Sequence, residues 1–149
     1  MAKSDVLLQL RNAKKAHIKW VQRAHVLVEG LTIDKDAIPM QSTDCVFGEW
    51  FYGEGQQIAL MPGMDCFKEI EKRHNELHEV YLDIYKIYFD ESDKSFFAKV
   101  FNMKKRISQK EHDNALEFYA RLKQVSEELL VQIEKLERRI NAMSEELFS

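Results

Sequence analysis

Apolar residues recur along most of the chain at alternating steps of three and four. From the amino end, Val6, Leu10, Ala13, His17, Trp20, Ala24, Leu27 and Leu31 form one such series, the stripe that a helix turns toward a core. Phe67, Ile70, His74, Leu77, Tyr81, Ile84 and Tyr88 repeat it. Asp90-Glu91-Ser92-Asp93 reads as a connection, with Ser92 placed to cap a last long helix. That helix would carry Phe96, Phe97, Val100, Phe101 and Ile107, then Phe118, Leu122, Val125, Leu129, Ile133, Leu136, Ile140, Met143 and Leu147. Its final part, with Glu and Lys between the apolar positions, has a coiled-coil-like rhythm. All five glycines and both prolines fall between residues 30 and 63. Gly and Pro cost about 1 and about 3 kcal/mol inside a helix, so their absence from both arms predicts long helices. Within the interrupted segment, Ser42-Thr43-Asp44 reads as a cap for a short helix from Cys45 to Phe51.

The expected fold is therefore all-α: a four-helix bundle of three long helices and one short cysteine-bearing helix, with a coiled-coil-like C-terminal extension. Residues 1–92 would form the core and 93–149 the last long helix with its extension, the two belonging to one domain. At 149 residues one domain is the natural size, and 45% hydrophobic residues suffice to bury a core. Lys and Arg number 22 against 25 Asp and Glu, a balance that argues against nucleic-acid binding. No apolar run reaches the roughly 18 residues of a membrane span, and the charged start lacks the pattern of a secretory leader. A cytoplasmic location is expected. There, Cys45 and Cys66 are better read as free thiols or metal ligands than as a disulfide.

The polar residues on the apolar stripes carry the chemistry. His17 and His74 stand where the pattern asks for Leu or Ile. A single histidine in such a place is usually an ordinary core residue. His74-Asn75-Glu76-Leu77-His78 adds weight, because residues four apart share a helix face and can bind one metal together. Cys45 sits at the start of the short helix, where the dipole should favour a thiolate. Three imidazoles and a thiolate suit tetrahedral zinc, whereas magnesium or calcium would require oxygen ligands. Other residues read as structural. His25 lies off the stripe at the surface or an interface, and His112 in a solvated polar stretch. Cys66 reads as a partly exposed thiol, Lys104-Lys105-Arg106 as a solvated face, and Glu76 and Glu79 as surface acids.

Taken in order, His17-Ile18-Lys19-Trp20, Cys45-Val46-Phe47-Gly48-Glu49-Trp50 and His74-Asn75-Glu76-Leu77-His78 resemble the chemoreceptor zinc-binding (CZB) domain. That family is marked by a His-x-x-aromatic element, a Cys-x-hydrophobic-Gly-x-hydrophobic element and a terminal His-x-x-x-His. The likeness spans roughly residues 5 to 90. It implies that His17, Cys45, His74 and His78 ligate Zn2+ in a dimerising four-helix bundle. Gly48 would then permit close helix approach, with Trp20 and Trp50 forming an apolar shell around the metal.

The resemblance further implies a sensory or regulatory domain that responds to zinc, to oxidants such as hypochlorous acid, or to both. Its partner would be a chemoreceptor, another chemotaxis component or a diguanylate cyclase of a bacterial signalling system. The tail's apolar repeat is the expected place of partner contact, or the lead into an output domain. The alternative is a structural scaffold in which zinc only holds a dimer together. An enzyme is not expected, because four protein ligands close the site against water. A di-iron bundle would need more histidines and bridging carboxylates, and only His25 and His112 are left over.

Overall fold

The computed structural model describes residues 1–30, 42–43, 45–89 and 107–148. All regular structure among these residues is helical. In chain order the α-helices are α1 (Lys3–Val28), α2 (Val46–Tyr52), α3 (Gln56–Ala59), α4 (Cys66–Phe89) and α5 (Gln109–Ala142), followed by a 3-10 turn at Glu145–Phe148. No helix of the described residues is long and apolar enough to cross a membrane.

The two predicted stripes are the buried faces of α1 and α4. Val6, Leu10, Ala13, His17, Trp20, Ala24 and Leu27 are buried along α1, and all seven residues expected on the second stripe are buried along α4. Leu31 lies outside the described residues. The helix α5 packs along both α4 and α1, while α2 lies against α1. Stacking of Phe51 on Phe67, with ring centroids 4.2 Å apart, also ties α2 to the first turn of α4.

The last long helix begins later than the sequence pattern indicated. Its cap is Ser108, whose hydroxyl accepts from the Glu111 N–H at 3.1 Å while the Glu111 carboxylate accepts from the Ser108 N–H at 3.1 Å. This reciprocal pair satisfies two amide donors that a helix start leaves without partners. The expected cap at Ser92, the apolar residues from Phe96 to Phe101 and the boundary at residues 92–93 all lie outside the described residues.

At the other end the stripe stops where the helix stops. Met143 is extended, with φ −85° and ψ 152°, and the following 3-10 turn changes the register. Phe148 is buried there, leaving Leu147 57% exposed. Met143 and Phe118, both expected on the stripe, are only half-buried. The short helix α3, with Ile58 buried, was not legible among the glycines.

The tail does not leave its repeat free for a partner. Leu129, Ile133, Leu136 and Ile140 are fully buried within the chain. Polar contacts fasten the same stretch to α1: Lys14 Nζ meets Glu137 at 2.6 Å, and Lys3 Nζ donates to the carbonyls of Asn141 and Met143 at 2.9 and 2.8 Å. A heptad-like stripe is thus used intramolecularly, because α1 and α4 offer apolar faces of matching length.

Ile133→Ala is therefore expected to lower the unfolding free energy by about 2–5 kcal/mol through the cavity it leaves, measured by urea titration. Val131→Ala, at a position 54% exposed, should shift it by less than about 0.5 kcal/mol. Equal effects would mean that the Ile133 face is not packed within the chain.

Candidate metal centre

The helix α1 brings His17 to the centre of the molecule, and α4 brings His74 and His78, one turn apart. Cys45 arrives at the start of α2. All four are buried, with exposures of 0% for His17, 3% for Cys45, 1% for His74 and 3% for His78. One nitrogen from each histidine and the Cys45 sulfur lie within 4.8 Å of one another. His74 is at the middle: its Nε2 is 3.3 Å from Cys45 Sγ and 3.2 Å from His78 Nε2. An ion bound at about 2.0–2.1 Å from nitrogen and about 2.3 Å from sulfur holds such atoms about 3.3–3.6 Å apart.

The orientation of His17 supplies a stronger test of fit. A carbonyl can only accept, so His17 Nδ1 carries the proton and donates to the Ala13 carbonyl at 2.7 Å. This fixes the tautomer and directs the lone pair of Nε2 inward. Nε2 is buried and has no hydrogen-bond partner. Leaving a buried polar atom unsatisfied costs about 1–3 kcal/mol, a penalty that coordination would remove. The four residues fit a tetrahedral ion of the kind that accepts nitrogen and sulfur together.

Around these ligand atoms the wall is aromatic. Trp20 meets His17 and His78 edge-on at 4.9 and 4.5 Å between centroids. Phe47 meets His17 and His74 at 5.6 and 5.1 Å. Trp20 thus takes the expected place in the apolar shell. The ring neighbour of Trp50 is Phe47, at 5.9 Å, so Trp50 supports the wall from behind and Phe47 holds the inner position. A largely apolar cavity of about 240 Å³ lies between α1 and α2, with Gln9, Asn12, His17, Cys45 and Phe47 in its lining.

Cys45 also serves as the N-cap of α2, its sulfur accepting from the Gly48 N–H at 3.2 Å. The expected cap was the preceding Ser42-Thr43-Asp44. Ser42 instead turns back, and the Cys45 thiol donates to its carbonyl at 3.4 Å. Gly48 is required for this turn rather than for helix approach: a Cβ there would sit 1.7 Å from the Ser42 carbonyl oxygen. Burial pushes the Cys45 thiol above its ordinary value, outweighing the amides of Gly48 and Phe47, which pull it down. The helix start favours the thiolate as expected, but desolvation is the larger effect.

The residues read as structural fall outside this centre. His25 is exposed, stacked on Tyr119 at 5.1 Å and 3.3 Å from Glu29. His112 is half-buried in the first turn of α5, not freely solvated. Cys66 is 2% exposed, which corrects the expectation of a partly exposed thiol. The Arg139 guanidinium lies over it at 3.6 Å while also binding Asp65 at 2.7 Å. Glu76 pairs with Arg73 and Arg121, and Glu79 is exposed. Lys104-Lys105-Arg106 lies outside the described residues. Sequence reasoning missed the inner-wall place of Phe47, the contacts of Ser42 and the carbonyl of Ala13, because a seven-residue helix, a turn and a backbone acceptor leave no periodic trace.

A helical unit with three buried imidazoles and one thiol converging at one point defines a class of metal-binding domain. Residues 17–85 match the family model of the chemoreceptor zinc-binding domain. The match is narrower than the span of 5 to 90 expected from the motifs. Neither the search of curated proteins nor that of solved structures gave a match.

Burial also makes the centre sensitive to acid. His17 falls from 6.5 to about 4, through desolvation first and then the charge of His78, against the opposing pull of the Ala13 carbonyl. His74 falls to about 2, through desolvation and then its two histidine neighbours. Above pH 6.5 both imidazoles are neutral whether the chain is folded or not, so they add no pH dependence. Below it the unfolded chain takes up protons that the fold refuses, so stability declines until the folded pKa values are reached. The slope is up to about 1.4 kcal/mol per pH unit for each histidine. The urea midpoint of metal-stripped protein is expected to fall steadily from pH 7 to pH 5. A flat series over that window would contradict the burial of neutral imidazoles.

Proposed function

We propose that His17, Cys45, His74 and His78 bind one Zn2+ and that the domain is a regulatory sensor without catalysis of its own. The observation that carries this reading is the buried, partnerless Nε2 of His17, aimed at the place where Cys45, His74 and His78 converge. The match of residues 17–85 to the zinc-binding family model supports zinc as the ion. Four protein ligands leave no position for a reacting water, which favours control over chemistry.

Metal binding would act on the fold through its connectivity. The ligands come from α1, from the start of α2 and from α4, so the ion would cross-link segments far apart in sequence. A structural zinc site contributes about 10–16 kcal/mol of apparent binding energy, comparable to a domain stability of about 5–15 kcal/mol. The apolar stripes of α1, α4 and α5 are buried independently of the site, which supports a metal-free form that stays folded and a reversible response. In this reading α1, α2, α4 and α5 act as a four-helix bundle within a cytoplasmic homodimer. Its output is a chemotaxis protein or a diguanylate cyclase.

Cys45 gives the centre a second input. Its thiolate can attack the chlorine of hypochlorous acid, and hydrolysis of the S–Cl bond leaves sulfenic acid. The net change is thiolate plus HOCl to sulfenic acid plus chloride, with sulfur oxidised and chlorine reduced. A sulfenic acid is a poorer ligand than a thiolate, so zinc is released.

Purified protein should contain about one zinc per chain by mass spectrometry, with the content reduced or lost in Cys45→Ala and His74→Ala. One equivalent of hypochlorous acid should then release the zinc to a chromogenic chelator while helical circular dichroism persists. Zinc retained under oxidant, together with collapse of the metal-free form, would favour the scaffold reading instead. No bound metal even after zinc is supplied would overturn both.

A further inference from the structure

The loop that carries Cys45 is fastened to α4 by an asparagine that is not itself a ligand candidate. Asn75 follows His74 and is half-buried. Its Oδ1 accepts the Ser42 hydroxyl at 2.6 Å and, more weakly, the Tyr52 hydroxyl at 3.4 Å. A carbonyl oxygen has two lone pairs, so one atom can take both donors. Ser42 lies before α2 and Tyr52 at its last residue, so this single atom binds both ends of the segment that holds Cys45. On its other side Ser42 presents its carbonyl to Cys45 Sγ at 3.4 Å. The same oxygen fills the space where a side chain at Gly48 would stand.

We infer that Asn75 is a positioning residue for the metal centre: through Ser42 and Tyr52 it clasps the sulfur-bearing segment to the helix that carries two histidines. The inference rests on the metal-site reading proposed above. Sulfur is the one ligand that does not come from a long helix. His17, His74 and His78 are held by the packing of α1 and α4, whereas Cys45 sits on a seven-residue helix reached by a turn. Its placement therefore depends on local contacts. The clasp governs how long the metal stays bound, since escape begins with detachment of the least anchored ligand. Groups that orient ligands without touching the metal typically change affinity by about 10- to 100-fold.

The test compares Asn75→Ala, Ser42→Ala, Ser42→Thr and the Asn75→Ala/Ser42→Ala double variant. Alanine is a better helix former than asparagine, so Asn75→Ala leaves α4 intact and a faster release cannot be assigned to a weakened helix. Zinc transfer from loaded protein to excess chelator should accelerate about tenfold in Asn75→Ala. Ser42→Ala should act in the same direction, and the double variant should release no faster than the faster single one. Ser42→Thr keeps the hydroxyl and should stay within about twofold of the parent. In metal-stripped protein, alkylation of Cys45, located by peptide mass spectrometry, should also accelerate in Asn75→Ala with helical circular dichroism unchanged. Release and alkylation rates within twofold of the parent, or additive effects in the double variant, would overturn the clasp while leaving the metal site standing. If the parent chain binds no zinc, the metal-site reading fails, and the alkylation rates alone decide whether Asn75 holds Cys45.

Discussion

Three imidazole rings and a thiol occupy the interior of this chain within a few ångströms of one another, and most of the architecture can be understood from what that costs. Each group would be hydrogen-bonded to water in the unfolded chain. In the fold, the rings of His17 and His74 are pushed far toward the neutral form, and the inward nitrogen of His17 meets no donor. Lone pairs converge on one point, and that of His17 Nε2 finds no hydrogen bond there, an arrangement that a soft cation satisfies and a purely apolar core would not create. The surrounding elements hold this arrangement in place. The Ala13 carbonyl sets the tautomer of His17, and Trp20 and Phe47 pack their rings against the histidines. Gly48 lets the Ser42 carbonyl close over the sulfur.

The remainder of the molecule makes such a centre affordable. Apolar faces on α1, α4 and α5 are continuous above and below the site, with Leu10, Leu27, Ile70, Ile84, Leu129 and Ile133 fully buried. Helix α5 runs along both of the long helices that carry histidines, so packing along α5 holds the two in place. In the sensor reading proposed above, that division of labour supplies a frame that persists and one ligand that can detach. Cys45 has the required character, being attached through a turn and a short helix and being the oxidisable member of the set.

Much of this was legible in the residue pattern, for a physical reason. Long helices with no internal glycine or proline follow a strict period, so the stripes of α1 and α4 could be read residue by residue, including the two places where histidine replaces an aliphatic side chain. The His-x-x-x-His spacing then places two ligands on one face without further information. Legibility ended where periodicity ended. The register shift after Ala142, which exchanges Leu147 for Phe148, arises from a 3-10 turn that obeys a different repeat. The start of α5 at Ser108 depends on a capping pair, and an earlier serine, Ser92, offered a cap with the same local appearance. The coiled-coil-like rhythm of α5 did not say whether its partner was another chain or the same one. Cys66 looked exposed because it stands at a helix start, whereas the fold places it in the buried core with the Arg139 guanidinium 3.6 Å away.

The central claim is that one ion joins His17, Cys45, His74 and His78. X-ray absorption at the zinc edge of the loaded protein tests it most directly, because it counts ligands by element and distance. The account predicts about three nitrogen neighbours at about 2.0–2.1 Å and one sulfur at about 2.3 Å, with the sulfur shell absent in Cys45→Ser. A shell of oxygen neighbours, or an unchanged sulfur shell in that variant, would contradict it.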